Sequence, residues 1–353
     1  NIINEKSKSK ISNKLFIKNI SINSKTIKKN DIFFAIKGKK IDGNRFTSEA
    51  FRKKSSLAIV NRVNNNYPLS KQIKVKNSLN FLTQCASIFR QNINAKIISI
   101  TGSCGKTTLK EMIGTILKKI SKTSYSPKSY NNKYGVPLSL FNINKNDDFG
   151  IFEIGMDKKG EIYNLSKIIK PNIGVITNIS YAHIKNFKNL FGIAKAKSEI
   201  IDNIIENGTV VLNADDKYYN YLKLKALKKK LKIISFRKKN NSNVKLEKIV
   251  SFKNISTLKV NIFGKTKKFI VKRNIESYVE NILAAIAVIS DFLDLVKLSD
   301  KLFFNYKLPE GRGDSKYIKI NNKKINFTDE SYNSNPLSLK FSLKKFDNLQ
   351  TGS

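Results

Sequence analysis

Apolar and polar positions along the chain follow two alternating patterns. Short apolar runs bounded by polar or glycine-containing stretches recur at "DIFFAIKG" (31–38), "SLAIVNRV" (56–63), "KIISITG" (96–102), "FGIFEIG" (149–155), "NIGVITNIS" (172–180) and "GTVVLNAD" (208–215). Each has the length of a buried strand. Between them apolar residues recur at helical spacing, as in "LNFLTQCASIFRQN" (79–92) and on the face formed by Leu109, Met112, Ile113, Ile116, Leu117 and Ile120. Alternation of strand and helix from Lys96 onward predicts an α/β fold with a mainly parallel sheet covered by helices on both faces. Ligands then bind beyond the carboxyl ends of the strands. The change of pattern places a first domain at 1–95 and a central one from 96.

The stretch "ITGSCGKTTLKE" (100–111) joins a predicted strand to a predicted helix that begins close to Lys106. Free backbone N–H groups and the positive end of a helix dipole meet at such a start, and Gly102 and Gly105 let the backbone approach an anion closely. Lys106 reaches toward terminal phosphates, and a hydroxyl of Thr107 or Thr108 suits magnesium. The stretch is a shortened P-loop, G-x-x-G-K-T-T, in which Ile100 stands where the longer pattern has glycine. Ser103 and Cys104 fill the loop between its glycines. Glu153 ends the run "FEIG" and delivers one carboxylate to the ligand side. His183, the single histidine, follows the strand "GVITNIS".

Composition changes this picture little. Lys+Arg 67 against Asp+Glu 26 gives a net charge of +41, which raises a nucleic-acid reading because phosphate neutralisation dominates such binding. Lysine, asparagine and isoleucine are enriched everywhere, however, and the densest run, "LKLKALKKKLK" (222–232), carries no interleaved aromatics for base stacking. It reads as a solvated helix face, and nucleic acid is not expected as a partner. Two widely separated cysteines, Cys85 and Cys104, indicate neither a disulfide framework nor a zinc site. No apolar run approaches a membrane span, and "NIINEKSKSK" lacks a signal-peptide core. A monomer in the cytoplasm, without a membrane partner, is expected.

The loop "TGSCGKTTLKEM" resembles the ATP-binding loop of the Mur ligases, the amide-forming enzymes of cell-wall precursor synthesis. Further stretches follow in the family's order: "SYNNKYGVPLSL" (129–140), "EIGMDKKGEI" (153–162), "TNISYAHIKNF" (177–187), "GIAKAKSEI" (192–200), "LNADD" (212–216), "ENILAAIAV" (280–288) and "DESYNSNP" (329–336). "NSKTIKKNDIFFAIKGKKIDGNRF" (23–46) is similar to a family region that holds a uridine nucleotide.

The resemblance implies a three-domain architecture. A small α/β substrate domain spans 1–95, a central P-loop ATPase-like domain 96–312, and the opening of a Rossmann-like third domain 313–353. It also implies ATP-dependent amide formation through an acyl phosphate, with ATP and one or two magnesium ions. UDP-N-acetylmuramoyl-tripeptide and D-alanyl-D-alanine are the implied small-molecule substrates.

Roles come over residue by residue. Lys106, Glu153, His183 and Lys197 fall at catalytic positions, with Thr107, Thr108, Glu153, His183 and Lys197 near metal. Lys197 matches a lysine that the family carbamylates, although Lys195 lies one register shift away. Gly102, Ser103, Cys104, Gly105, Lys106, Thr107 and Thr108 surround the phosphates. Asn281, at the head of an amphipathic helix, matches an adenine contact. Arg312 matches a hinge arginine, and Asp329 with Glu330 match a ribose-binding carboxylate site. Ser24, Lys25, Asn131 and Asn132 match substrate contacts.

The family pattern continues past Ser353. A frame ending there is expected to ligate weakly or not at all, because closure of the third domain completes such sites. Three other readings stay open on the sequence: another Mur-type amide ligase, for example one extending folate with glutamate; a basic nucleic-acid-binding NTPase; and a non-catalytic nucleotide-binding fragment.

Overall fold

A computed structural model of the chain describes residues 2–3, 15–182, 184–237, 242–272, 275, 278–321, 323–332, 339–340 and 342–343. His183 and the end of "DESYNSNP" lie outside the described residues. The chain forms two compact units, one from 1–94 with 130–146 and one from 95–129 with 147–353.

The first unit is built on a four-stranded parallel sheet in the order β1 (Ile20–Ser21), β2 (Ile32–Phe34), β3 (Leu57–Val60), β4 (Gln72–Lys74). Strands β2 and β3 are buried along their whole length, as a sheet covered on both faces requires. Helix α1 (Thr47–Arg52) sets Ala50 against Phe33, Ala35, Ala58 and Val60 on one face. Helix α2 (Ser78–Gln91) sets Phe81, Leu82 and Cys85 against Ile32, Phe34, Leu57 and Ile59 on the other. Asn77 starts α2 by accepting the Asn80 N–H, a side-chain cap of the usual kind.

The short helix Gly135–Leu140 also belongs to this unit. Leu138 and Phe141 give it an apolar face that packs on the α2 side of the sheet, with the Phe89 and Phe141 rings 5.1 Å apart. The central domain drawn at 96–312 is therefore interrupted at 130–146, because those apolar residues find their cover in the first unit.

The second unit carries a nine-stranded sheet. Its strands are β5 (Lys96–Thr101), β6 (Thr123–Tyr125), β7 (Phe149–Glu153), β8 (Ile173–Ile176), β9 (Thr209–Asn213), β10 (Lys232–Arg237), β11 (Val244–Phe252), β12 (Ile255–Ile262) and β13 (Lys265–Lys272). The spatial order is β13-β12-β11-β10-β9-β8-β5-β7-β6. Pairing is parallel from β6 across to β11 and antiparallel through β12 and β13, so the expected parallel sheet gains an antiparallel ribbon at one edge. In β12 burial alternates onto Ser256, Leu258, Val260 and Ile262, the period of a half-covered strand.

From β5 the chain crosses to β6 and β7 on one side; after β7 it returns to β8 on the other. The connections diverge between β5 and β8, and such a switch point opens a crevice at the carboxyl ends of the strands.

Helix α3 (Lys106–Leu117) follows β5 and buries Leu109, Met112, Ile113, Ile116 and Leu117 in the main core with Ile98, Ile100 and Ile151. Ile120, expected on the same face, is 46% exposed. The helix stops at Leu117 in tight turns, with Lys119 and Ile120 donating to Ile116 and Leu117, which swings the next residues off the face.

Helices α4 (Glu161–Ile169), α5 (Leu190–Asp202), α6 (Tyr219–Lys228) and α7 (Val279–Ile289) complete the layers. The lysine-rich α6 buries Leu222 and Ala226 and turns most of its lysines outward. Helix α7 differs from the amphipathic helix expected there, since every residue from Ile282 to Ile289 is buried. It packs against α3 and strands β9, β10 and β11, and the ribbon adds Leu258, Val260, Phe269 and Val271 to the same core.

An antiparallel hairpin of β14 (Asp314–Ile320) and β15 (Lys323–Asp329) also belongs to the second unit. Among the described residues no helix is long and apolar enough to cross a membrane.

Candidate active site

The site assembles at the carboxyl ends of β5, β7 and β8. Gly102 leaves β5 at φ +149°, where an added Cβ would lie 1.8 Å from Thr177 Oγ1. Gly105 sits at φ +79° as the residue before α3, and an added Cβ there would lie 3.0 Å from the Asn281 amide nitrogen. Both positions need glycine, for space at the first and for left-handed backbone at the second. Gly102→Ala is therefore expected to lose nucleotide-dependent thermal stabilisation, since its methyl can fit only if the loop or Thr177 moves; a thermal shift with ADP and magnesium reads this.

The loop divides into a tied half and a free half. Ser103 N–H donates to the Asn178 carbonyl at 2.9 Å, and Cys104 N–H to Asn178 Oδ1 at 3.0 Å. The next four N–H groups, those of Gly105, Lys106, Thr107 and Thr108, have no acceptor among the described residues. They lie at the start of a twelve-residue helix, where unmet donors and the helix dipole together favour an anion. Of the amides expected to face phosphate between 102 and 108, those of Ser103 and Cys104 are thus engaged within the protein. The Lys106 ammonium donates to the Gly102 carbonyl at 2.9 Å, back across the loop.

Glu153, 2% exposed at the end of β7, accepts the Thr107 hydroxyl at 2.6 Å. Thr107 Oγ1 also lies 3.3 Å from Ser129 Oγ, to which Arg312 Nη2 donates at 3.2 Å. The Arg312 guanidinium stacks 4.0 Å over the Tyr332 ring. Thr108 is buried and its carbonyl accepts the Tyr306 hydroxyl at 3.0 Å.

Lys197 projects from α5 into the interior and is 2% exposed, whereas Lys195 on the same helix is exposed, its ammonium 4.7 Å from the Phe191 ring centre. Of the two lysines, Lys197 is thus the buried one. Burial, and then the positive charge of Lys106, push the Lys197 amine well below the usual lysine range. The neutral form is favoured in the fold and the ammonium in the unfolded chain. The unfolded state therefore binds the extra proton, and stability rises with pH from the depressed value up to the free-lysine value near ~10.4. Lys197→Met is expected to be more stable than the parent at neutral pH in carbon-dioxide-free buffer, with the difference closing as pH approaches that upper value. Paired thermal melts across pH measure it.

Other predicted residues fall as follows. Asn281, on the first turn of α7, donates to the Gly105 carbonyl at 2.8 Å and so braces the loop. The Ser331 hydroxyl, and then the Ser331 N–H that Asp329 accepts, hold the Asp329 carboxyl below the ordinary range. The Asp329 carbonyl accepts the Gly313 N–H at 2.7 Å. No hydrogen bond joins Asp329 or Glu330 to the phosphate loop among the described residues. In the first unit Ser24 is buried and donates to Glu49 at 2.7 Å, while Lys25 is exposed. Asn132 Oδ1 accepts the N–H groups of Tyr134 and Gly135 and starts the short helix; Asn131 precedes it, half-buried.

Three residues in the cluster carry no signal in the loop motif: Ser129, Thr177 and Asn178. Each is brought in across more than twenty positions of sequence.

Residues 100–289 match the Mur ligase middle domain, and residues 16–90 the Mur ligase family catalytic domain. The chain belongs to the Mur ligase family. The Mur ligase of Buchnera aphidicola subsp. Baizongia pistaciae named UDP-N-acetylmuramoyl-tripeptide--D-alanyl-D-alanine ligase is 32% identical over 338 residues, 94% of this chain and 71% of the relative. The protein of the same name from Rickettsia prowazekii is 33% identical over 337 residues, 95% of this chain and 74% of the relative. Among solved Mur ligase structures, MurF ligase from Thermotoga maritima in complex with ADP superposes with a TM-score of 0.81 at 25% identity, covering 94% of this chain and 75% of that one.

Proposed function

We propose that this Mur ligase uses ATP to join D-alanyl-D-alanine to UDP-N-acetylmuramoyl-tripeptide, making the pentapeptide precursor of peptidoglycan. The observation that carries the reading is the row of four unmatched N–H groups at Gly105–Thr108 beside the Thr107–Glu153 pair. The names of the relatives supply the substrates.

In this reading the Gly105–Thr108 amides and Lys106 hold the β- and γ-phosphates of ATP. The terminal carboxylate of the tripeptide attacks the γ-phosphorus, the bond to the β–γ bridging oxygen breaks, and ADP leaves. The amine of D-alanyl-D-alanine then attacks the acyl phosphate, inorganic phosphate departs, and the amine's proton passes to solvent as the amide forms. Such transfers depend chiefly on positioning and charge neutralisation. Lys106 supplies positive charge where two anions must meet, and Arg312 lies one hydroxyl away, on Ser129.

The donor set fits magnesium: a threonine hydroxyl and a buried carboxylate in contact, both hard oxygens, on the flank of a phosphate site. Thr107 and Glu153 would hold the ion, which supplies neutralisation of phosphate charge. No group of three or more His, Cys, Asp or Glu gathers among the described residues, so phosphate and water oxygens would complete the shell. A neutral, buried Lys197 amine is the form that carbon dioxide can carbamylate, which would add a carboxylate to the site together with His183.

Ser24, Lys25, Asn131 and Asn132 are assigned to the UDP-linked substrate, Asn281 to the adenine side, and Asp329 with Glu330 to ribose. The hairpin after Arg312 opens the third domain. In this reading the working unit is a monomer acting in the cytoplasm, where ATP and both substrates meet.

A phosphate-release assay with ATP, magnesium, the UDP-linked tripeptide and D-alanyl-D-alanine, omitting one component at a time, tests the proposal. Phosphate release, however slow, is expected to require all four. Release indifferent to the dipeptide, or stimulated by RNA and lost steeply with salt, would contradict it.

A further inference from the structure

We infer that Asn178 is a positioning residue for nucleotide binding, which shapes the phosphate loop by taking up the peptide groups of Ser103 and Cys104. The inference rests on the ATP-dependent reading above and deepens it, by naming what decides which loop amides face phosphate. The Asn178 carbonyl accepts the Ser103 N–H at 2.9 Å; its side chain accepts the Cys104 N–H at 3.0 Å and donates to the Cys104 carbonyl at 3.3 Å. Its neighbours reinforce the grip. Thr177 Oγ1 donates to the same Cys104 carbonyl at 2.7 Å, and Ser103 Oγ accepts the Ser180 N–H at 2.8 Å and donates to the Ser180 carbonyl at 3.0 Å.

The gripping segment is itself anchored. Thr177 N–H donates to the Thr101 carbonyl at 3.0 Å, continuing the β5–β8 pairing past the strand ends. Ile179 N–H donates to Asp216 Oδ2 at 2.7 Å, tying the segment to the turn after β9. A loop with glycine at both ends has wide conformational freedom in isolation. Fixing its two middle peptide groups against a second strand end sends the chain into α3 with the next four N–H groups already aligned. Donors held in place beforehand need no reorganisation when phosphate arrives. An amide side chain suits the position because it offers acceptor and donor together without charge, whereas a carboxylate would lose the donor and set negative charge beside the phosphates.

The test compares the parent chain with Asn178→Ala, Asn178→Asp and Thr177→Val by calorimetric ADP binding with magnesium, and by steady-state KM for each substrate. Asn178→Ala is expected to weaken ADP binding about tenfold, and Asn178→Asp more. The KM for the UDP-linked tripeptide should stay within about twofold, a split that a general loss of folded protein would not produce. Thr177→Val removes one bond while keeping the side chain's shape, and is expected to weaken ADP binding about threefold; it carries the test should Asn178→Ala not fold. Unchanged ADP affinity in the folded variants, or equal losses for both substrates, would overturn the inference. ADP binding is read without ligation, so a parent chain that binds ADP but releases phosphate without regard to the dipeptide would count against the ligase reading and leave this comparison standing.

Discussion

Lys106→Ala is expected to lower dipeptide-dependent phosphate release by about 10²- to 10³-fold, the cost of removing one preorganised donor from a transferring group. The ammonium reaches back across the loop to the Gly102 carbonyl, and α3 can start without it because its first N–H groups need no lysine. Folding should survive, with the effect falling on kcat and on ATP affinity. A second readout follows from electrostatics. The Lys106 charge is, after burial, the next cause of the depressed Lys197 amine. Its removal should therefore raise the Lys197 pKa, visible as a shift of the pH at which that amine titrates. Loss of turnover without that shift would mean that the two lysines are not coupled as the geometry requires.

Glu153→Gln is expected to abolish magnesium-dependent turnover by a similar factor while leaving the fold intact. The amide keeps the volume of the side chain and an oxygen to accept the Thr107 hydroxyl that now sits 2.6 Å from the carboxylate. What it lacks is negative charge on a hard oxygen, the property that suits magnesium. Removing a buried charge also relieves desolvation, so the melting temperature without ligand should hold or rise. Lost turnover with the same magnesium dependence as the parent would show that the carboxylate has another task.

Which parts of this arrangement were legible in the sequence follows from how local the forces are. The phosphate loop and α3 could be read because glycine spacing, the lysine, and the apolar face from Leu109 to Leu117 lie within one turn-and-helix unit. Glu153 could be read as a lone carboxylate closing an apolar strand. The end of α3 could not, since the tight turns at Lys119 and Ile120 oppose a periodicity that continues through Ile120. The burial of α7 on all sides depended on its packing against α3 and strands β9, β10 and β11, none of them adjacent to it in sequence. The inclusion of 130–146 in the first unit depended on Leu138 and Phe141 meeting α2. Asn178 was invisible for a related reason: its partners in the loop lie 74 positions away, and nothing in "TNIS" announces that its amide will be spent on a backbone.

Asn281 and Lys197 show the opposite benefit of three dimensions. Sequence resemblance pointed Asn281 at adenine, while the structure gives its amide to the Gly105 carbonyl, so its removal should disturb the loop as well as the base. Two lysines two residues apart could not be told apart by motif, yet burial separates them cleanly, because residues i and i+2 of a helix face different directions.

A crystal structure of the chain with a non-hydrolysable ATP analogue and magnesium tests the phosphate assignment most directly. The β- and γ-phosphate oxygens are expected within hydrogen-bonding distance of the N–H groups of Gly105, Lys106, Thr107 and Thr108, with the metal on Thr107 and Glu153. A triphosphate bound elsewhere, or those four amides capped by protein groups while Glu153 faces away, would contradict it.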